Sequence, residues 1–341
     1  MTRLRIAVHS DLREHGEQAS VYRETLDLFS HAEQLGFDTA WVRSYHFRRR
    51  SGTPGFSFPG GLPSPFTFLG TLAGRTSRIR LGTAVVPLPL ENPVRVAENA
   101  AVLDAISSGR LELGVSNGGQ PPIAAALGIT LDPDKERKKA GYLRSLDTLT
   151  DVLRGAPING TDQELNPPAA GLAGRIWESA LTEQTGHDSA ARGHGVLIGT
   201  TQTVPAEVTA AAYHASLPDG VPPRVGLVVH VHLASDRRAA LAALEADVQT
   251  VYAWGQDWLP AAQTLEEKAA AINVHYGTAD QIAESIRAFP AFPYTTELQF
   301  NVAYGTTDAR QRRAAIDAVA QEIAPLLGWK PDTSGLGTVR M

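Results

Sequence analysis

Apolar residues recur along this chain at two spacings, every second residue and every three to four, and the switches between them lay out its elements. The pattern is clearest from Arg78 to Gly119, RIRLGTAVVPLPLENPVRVAENAAVLDAISSGRLELGVSNGG. Ile79, Leu81 and Ala84-Val85-Val86 form a short apolar run that prolines 87 and 89 end. Asn92-Pro93 opens a helix bearing Val96, Ala100, Leu103 and Ala105-Ile106, and Ser107-Ser108-Gly109 stops it. Leu111, Leu113 and Val115 then alternate into a second strand that ends at Ser116-Asn117-Gly118-Gly119. A short helix between two buried strands makes a right-handed crossover, so the strands are expected to be parallel. Both stop in small polar residues, where such units usually hold a ligand.

The same alternation runs through the rest of the chain. Strands are expected at Leu4–Val8, which leads to His9-Ser10-Asp11, at 39–42, and again at 175–181, 195–199, 225–233 and 297–303. Helices are expected at 20–35, 65–76, 135–153, 187–193, 205–216, 236–254 and 309–327, and Thr278-Ala-Asp-Gln281 fits a capping box that starts another. The count is eight strands, most followed by a helix, with no composition break or repeat over 341 residues. It predicts an α/β fold, a (β/α)8 TIM barrel forming one domain over 1–341, with loop insertions at the C-terminal face. Two stretches lack periodicity, 48–65 and 255–276. The second reads as a lid, and together they are expected to build the substrate pocket.

Composition narrows the function. The formal charge of −5 argues against nucleic acid or an anionic membrane as partner. The absence of cysteine removes disulfides, thiolate metal sites and a cysteine nucleophile. The N-terminal MTRLRIAVHSD enters a strand directly, without the apolar core of a signal peptide, and no apolar run reaches membrane-spanning length; a soluble cytoplasmic protein is the expectation.

Several local patterns carry chemistry. Gly114-Val-Ser-Asn-Gly118 matches the G-x-S-x-G elbow of serine hydrolases, but Gly119-Gln120-Pro121-Pro122 does not lead straight into the helix that the elbow requires. No G-x-G-x-x-G or P-loop sequence is present. His230 and His232 share one face of a strand, and with no carboxylate beside them pocket lining is preferred to a metal site; His9, at the end of the first strand, is expected in the substrate pocket with them. Thr182-Glu-Gln-Thr-Gly186 stands before a short helix and reads either as a phosphate cradle or as a plain N-cap. Asp104 and Arg110 are expected to pair across a helix-to-strand turn, and Arg48-Arg49-Arg50 to be a solvated rim.

In RIRLGTAVVPLPLENPVRVAENAAVLDAISSGRLELGV, in AEQLGFDTAWVRSYHF (32–47), in GLPSPFTFLGTLAGRTSRIRLGT, and over 277–289 and 297–329, the chain resembles the bacterial-luciferase-like flavin monooxygenases. The resemblance implies a (β/α)8 barrel that uses reduced FMN from a separate flavin reductase, together with O2, to oxygenate a small or medium organic substrate. It also implies that homodimers are common among relatives. A reduced deazaflavin transferring hydride is the alternative, and a flavin binder without catalysis a third reading. Carried over by position, Ala84 and Val85 pack the flavin ring, and Thr83-Ala84-Val85 is where a cis peptide is expected. Ser116 and Asn117 lie beside the flavin, Asn117 standing where luciferases place a phosphate-holding arginine. Thr182, Thr185 and Gly186 fall on the phosphate loop. Where luciferases read Glu-His-His-Phe this chain reads Ser44-Tyr45-His46-Phe47, leaving Tyr45 or His46 as the catalytic candidate. A neutral tyrosine donates a hydrogen bond but is a poor base. The plainer reading of His46 is a packed, hydrogen-bonded histidine.

Overall fold

Eight parallel strands close on themselves: β1 (Arg5–Ser10), β2 (Thr39–Val42), β3 (Arg80–Thr83), β4 (Leu111–Ser116), β5 (Ile176–Ser179), β6 (Gly195–Ile198), β7 (Val225–Leu233) and β8 (Glu297–Asn301). Each pairs with the next, and β8 pairs with β1 through Arg5↔Glu297 and with β7 through Glu297↔Gly226, which completes a barrel. This computed structural model describes residues 3–12, 17–47, 61–305 and 308–331.

Alternation along each strand sends one set of side chains to the surrounding helices and the other into the barrel. Ile6, Val8, Leu81, Leu111, Leu113, Leu298 and Phe300 are fully buried in the apolar layer between strands and helices. Burial of such side chains contributes roughly 1.5–3 kcal/mol each. The helices end as their sequences require. The Asn92 side chain accepts from the N–H groups of Val94 and Arg95 ahead of the helix Pro93–Ile106. Thr278 and Gln281 form the expected capping box.

The inward set is unusually polar at the N-terminal end. Trp41 Nε1 donates to Glu297 Oε1 at 2.6 Å, and Arg5 and Thr39 also donate to the Glu297 carboxylate. The pattern repeats across the barrel, where Trp177 Nε1 donates to Glu112 Oε2 at 2.6 Å and Arg80 pairs with the same carboxylate. The two indoles meet edge to face at 5.5 Å. Each lies over a glycine that is its direct partner in the adjacent strand, Trp41 over Gly82 and Trp177 over Gly195. A Cβ on Gly82 would fall 2.1 Å from the Trp41 ring. Gly82→Ala should therefore cost about 1–3 kcal/mol by overpacking, measured by chemical denaturation.

Three expectations are corrected. The segment 255–276 holds a helix, Leu265–Ala271, opened by a Thr264–Glu267 capping box, and a strand, Val274–Gly277, that pairs with the outer half of β7 (His230↔Val274 to Leu233↔Gly277). Both pieces span no more than about two periods, too few for the pattern to stand out in sequence. The helix expected at 187–193 runs from Glu183 to Ala191, with Thr182 as its N-cap. Asp104 pairs with Arg175 at 2.7 and 2.8 Å rather than with Arg110, whose guanidinium instead gathers the carbonyls of Ala73, Thr76 and Ile79.

On the extra strand, His275 is buried, bonded to Ser285 Oγ at 2.8 Å and Asn273 Oδ1 at 2.9 Å. Burial, with Arg237 nearby, lowers its pKa to about 4. The unfolded chain takes up this proton near pH 6.5 and the folded chain does not, so stability is full above that value and falls as pH drops toward 4. Denaturation at pH 5 should show about 2 kcal/mol less stability from this group than at pH 7, a loss that His275→Asn removes.

Candidate active site

The C-terminal strand ends surround a cavity of about 810 Å³, within the usual range for a small-molecule site. Every strand or the turn after it contributes: His9, Tyr45 and His46, Ala84 and Val85, Ser116 and Asn117, Thr182, Gly199 to Thr203, His230, Gln299 and Asn301. The sequence candidates His9, Tyr45, His46, Ala84, Val85, Ser116, Asn117, Thr182, Thr185 and His230 are thus brought together around one space.

One wall is apolar. The Ala84–Val85 peptide is cis, inside the tripeptide where the resemblance implied one. Ala84 N–H donates to the Val42 carbonyl at 2.7 Å, and Thr83 Oγ1 bridges to the backbone of Gly114 on β4, which fixes this wall between two strands. The floor is polar. Gln299 Nε2 donates toward Glu297 Oε1 at 3.4 Å, which turns Gln299 Oε1 to accept from His9 Nδ1 at 3.2 Å, while His9 Nε2 lies 3.3 Å from Asp11. The site floor is therefore tied to the carboxylate beneath it.

Tyr45 and His46 follow β2. Their backbone is held by the Tyr45 N–H donating to the Leu62 carbonyl, with Gly61 held in turn by the Tyr22 hydroxyl. His46 is half-buried, and its Nε2 has no hydrogen-bond partner among the described residues. Burial lowers its pKa, so the ring is neutral near pH 7. The ring packs against Phe47, with centroids 6.0 Å apart, but Nε2 lacks the hydrogen bond of the plainer reading.

At the opposite end, Thr182 Oγ1 accepts from the Thr185 N–H at 3.2 Å, an N-cap for the helix Glu183–Ala191. Beside it lies a cluster that the sequence did not disclose. Burial opposes ionisation of Glu178, yet His194, Arg192 and the Tyr142 hydroxyl hold its carboxyl below the usual range. Arg192 stands 3.6 Å from Glu178 and Lys139 3.1 Å from Asp188, and both cations line the cavity. Lys139 lies on the helix Lys135–Leu153 and Arg192 caps the end of its own helix, so no short motif joins them to Thr182.

Two candidates stand elsewhere. Gly186 does not line the cavity; a Cβ there would meet the Thr209 carbonyl at 2.5 Å, so the glycine allows its helix to pack on Ala206–Ala215. His232 lies outside as well, because β7 continues beyond the barrel, and its Nδ1 donates to the Tyr304 carbonyl at 3.1 Å. Residues 48–60, Arg48 to Arg50 included, lie outside the described residues. No helix among the described residues is long and apolar enough to cross a membrane. Ser116 ends its strand with Oγ accepting from the Gly118 N–H, and the next helix begins only at Pro121, so the hydrolase elbow is not formed.

A flavin fits what is present. Among the described residues, four buried polar atoms without hydrogen-bond partners, His46 Nε2, Asn117 Oδ1, Gln202 Oε1 and Asn301 Nδ2, belong to residues lining this cavity, and Arg192 Nη1 beside them has only the 3.6 Å ion pair to Glu178. Buried polar groups are nearly always satisfied, so several unsatisfied ones on the wall of one cavity fit a polar ligand there.

Comparison with known proteins agrees. The chain is 38% identical over 136 residues to 4-hydroxyprotoasukamycin monooxygenase of Streptomyces nodosus subsp. asukaensis, covering 40% of this chain and 33% of the relative. It is 31% identical over 117 residues to the oxygenase component of flavin-dependent trigonelline monooxygenase of Acinetobacter baylyi, covering 34% and 30%. The matched stretch thus spans about a third of the length of each relative. Among solved structures, the oxygenating constituent of 3,6-diketocamphane monooxygenase of Pseudomonas putida, in complex with FMN, superposes with a TM-score of 0.73 at 16% identity, covering 95% of this chain and 98% of that one. The F420-dependent tetrahydromethanopterin reductase of Methanopyrus kandleri gives 0.67, also at 16% identity, covering 95% and 99%. These two likenesses show the fold. A family model described as luciferase-like monooxygenase matches residues 2–295, and the chain belongs to that family.

Proposed function

We propose that this chain is the oxygenase half of a two-component system, taking reduced FMN from a separate reductase and using O2 to oxygenate a small or medium organic substrate. The carrying observation is the group of buried polar atoms without hydrogen-bond partners among the described residues, around a cavity with one apolar wall at Ala84 and Val85. A reductase partner is supported by the trigonelline relative, which is by name an oxygenase component.

In this reading the ring of FMN lies against Ala84 and Val85, with Ser116 and Asn117 at its edge. Its phosphate lies at Thr182, Thr185 and the N-terminal end of their helix, where exposed N–H groups favour an anion. Lys139 and Arg192 supply the cationic contacts that Asn117 cannot. When bound, reduced FMN supplies the electrons that activate O2. The chain's part is placement. His46 Nε2, uncharged near pH 7, accepts or returns a proton at the reacting end, and the Tyr45 hydroxyl donates a hydrogen bond there. His9 and His230 face the substrate from the floor and from β7.

Aerobic stopped-flow mixing tests this reading. Protein loaded with reduced FMN should regain oxidised-flavin absorbance more slowly than free reduced FMN does, and His46→Phe should change that rate without abolishing binding. Identical rates with and without protein would sink the proposal.

A further inference from the structure

A second cavity, of about 450 Å³, lies between the turn after β6 and the segment 258–273. Val204, Pro205, Leu259, Ala270, Ala271 and Phe289 make its lining largely apolar, and Glu207 is the ionisable residue in it. It is large enough on its own to hold part of a small molecule. It also adjoins the main cavity, because Gly199, Thr200, Gln202, Thr203 and Trp258 line both.

That junction has its own chemistry. Gln202 Nε2 donates to the Gly199 carbonyl at 2.9 Å, which fixes the amide and leaves Oε1 as a buried acceptor with no donor among the described residues. Trp258 stands edge-on to Trp254 at 5.0 Å and is 38% exposed, a large apolar surface that a ligand at this point would cover.

We infer that the substrate extends through this junction, with its reacting end in the main cavity and an apolar tail or ring in the second. The proposal rests on the oxygenase reading and narrows its substrate class to an uncharged, elongated, largely apolar molecule. A hydroxyl or N–H along its length meets Gln202 Oε1. An anionic end is disfavoured by Glu207.

The linear alkanols from hexanol to dodecanol, each a single hydroxyl on an apolar chain, are the probe. Their affinities are measured by calorimetry on the full chain. Each buried methylene is worth about 0.8 kcal/mol, so the natural protein should bind about fourfold tighter per added methylene. Ala271→Trp fills the second cavity from the helix Leu265–Ala271, and Val204→Phe fills it from the opposite wall, so the test survives if either substitution disturbs its own element. In both, the gain should stop at the chain length that fills the main cavity, with reduced-FMN affinity unchanged. Increments that persist in both variants, or that are absent from the natural protein, overturn the inference. Increments that behave as expected in a protein that fails to bind reduced FMN would uphold the second cavity and count against the oxygenase reading instead.

Discussion

Glu297→Ala is expected to lower the stability of the barrel by about 3–5 kcal/mol, because it strips one partner from a buried, hydrogen-bonded ion pair. Glu297 is fully buried and accepts from Trp41, Thr39 and Arg5. Removing the carboxylate leaves the buried Trp41 N–H without its acceptor and Arg5 with the Thr39 hydroxyl at 2.9 Å and the Glu112 carboxylate 3.8 Å away. Glu297→Gln keeps an acceptor for the indole and should cost distinctly less. The consequence reaches the site, since Gln299 orients His9 only while its amide nitrogen faces Glu297. Denaturant unfolding of the two variants measures the difference, and equal losses would show that the charge of the carboxylate, rather than its volume or the acceptor that glutamine retains, holds this layer.

Removing Lys139 and Arg192 together should weaken binding of reduced FMN about a hundredfold. A hydrogen bond to a charged group contributes about 1.5–3 kcal/mol, and the lower end applies here because both side chains are partly exposed and screened. Reduced riboflavin, which has the same ring and no phosphate, should bind the double variant as it binds the natural protein. That contrast separates lost phosphate contacts from a damaged cavity. An equal loss for both flavins would place the phosphate elsewhere.

Much of this was legible in the sequence because the barrel repeats a simple rule. Apolar residues alternate along each strand and recur every three to four along each helix, so strand number, order and parallel pairing followed from periodicity. Eight of the strand-end candidates, from His9 round to His230, together with Ala84 and Val85, line one cavity because all barrel strands end at one face. Polar residues inside the barrel were harder to see. In ELQFN the alternation is plain, but Glu297, Gln299 and Asn301 are the inward set and the apolar residues face the helices, the reverse of an antiparallel surface strand. The cluster joins Tyr142 on a helix, Glu178 on a strand, and Arg192 and His194 in a later helix-to-strand turn, and nothing in sequence spacing brings these three places together. Asp104 found Arg175 rather than Arg110 for the same reason, since the nearer residue in sequence was taken by backbone carbonyls.

The second cavity follows from elements too short to read. A seven-residue helix and a four-residue strand made 255–276 look aperiodic, yet they cover the turn after β6. Loops carried on a rigid barrel are where specificity is expected to reside, and this segment offers the apolar surface for it.

Anaerobic titration of the protein with reduced FMN, and separately with reduced F420, tests the central claim most directly. Saturable one-site binding of reduced FMN, tighter than that of the deazaflavin, is the predicted result. Failure to bind reduced FMN, or clear preference for reduced F420, would contradict it.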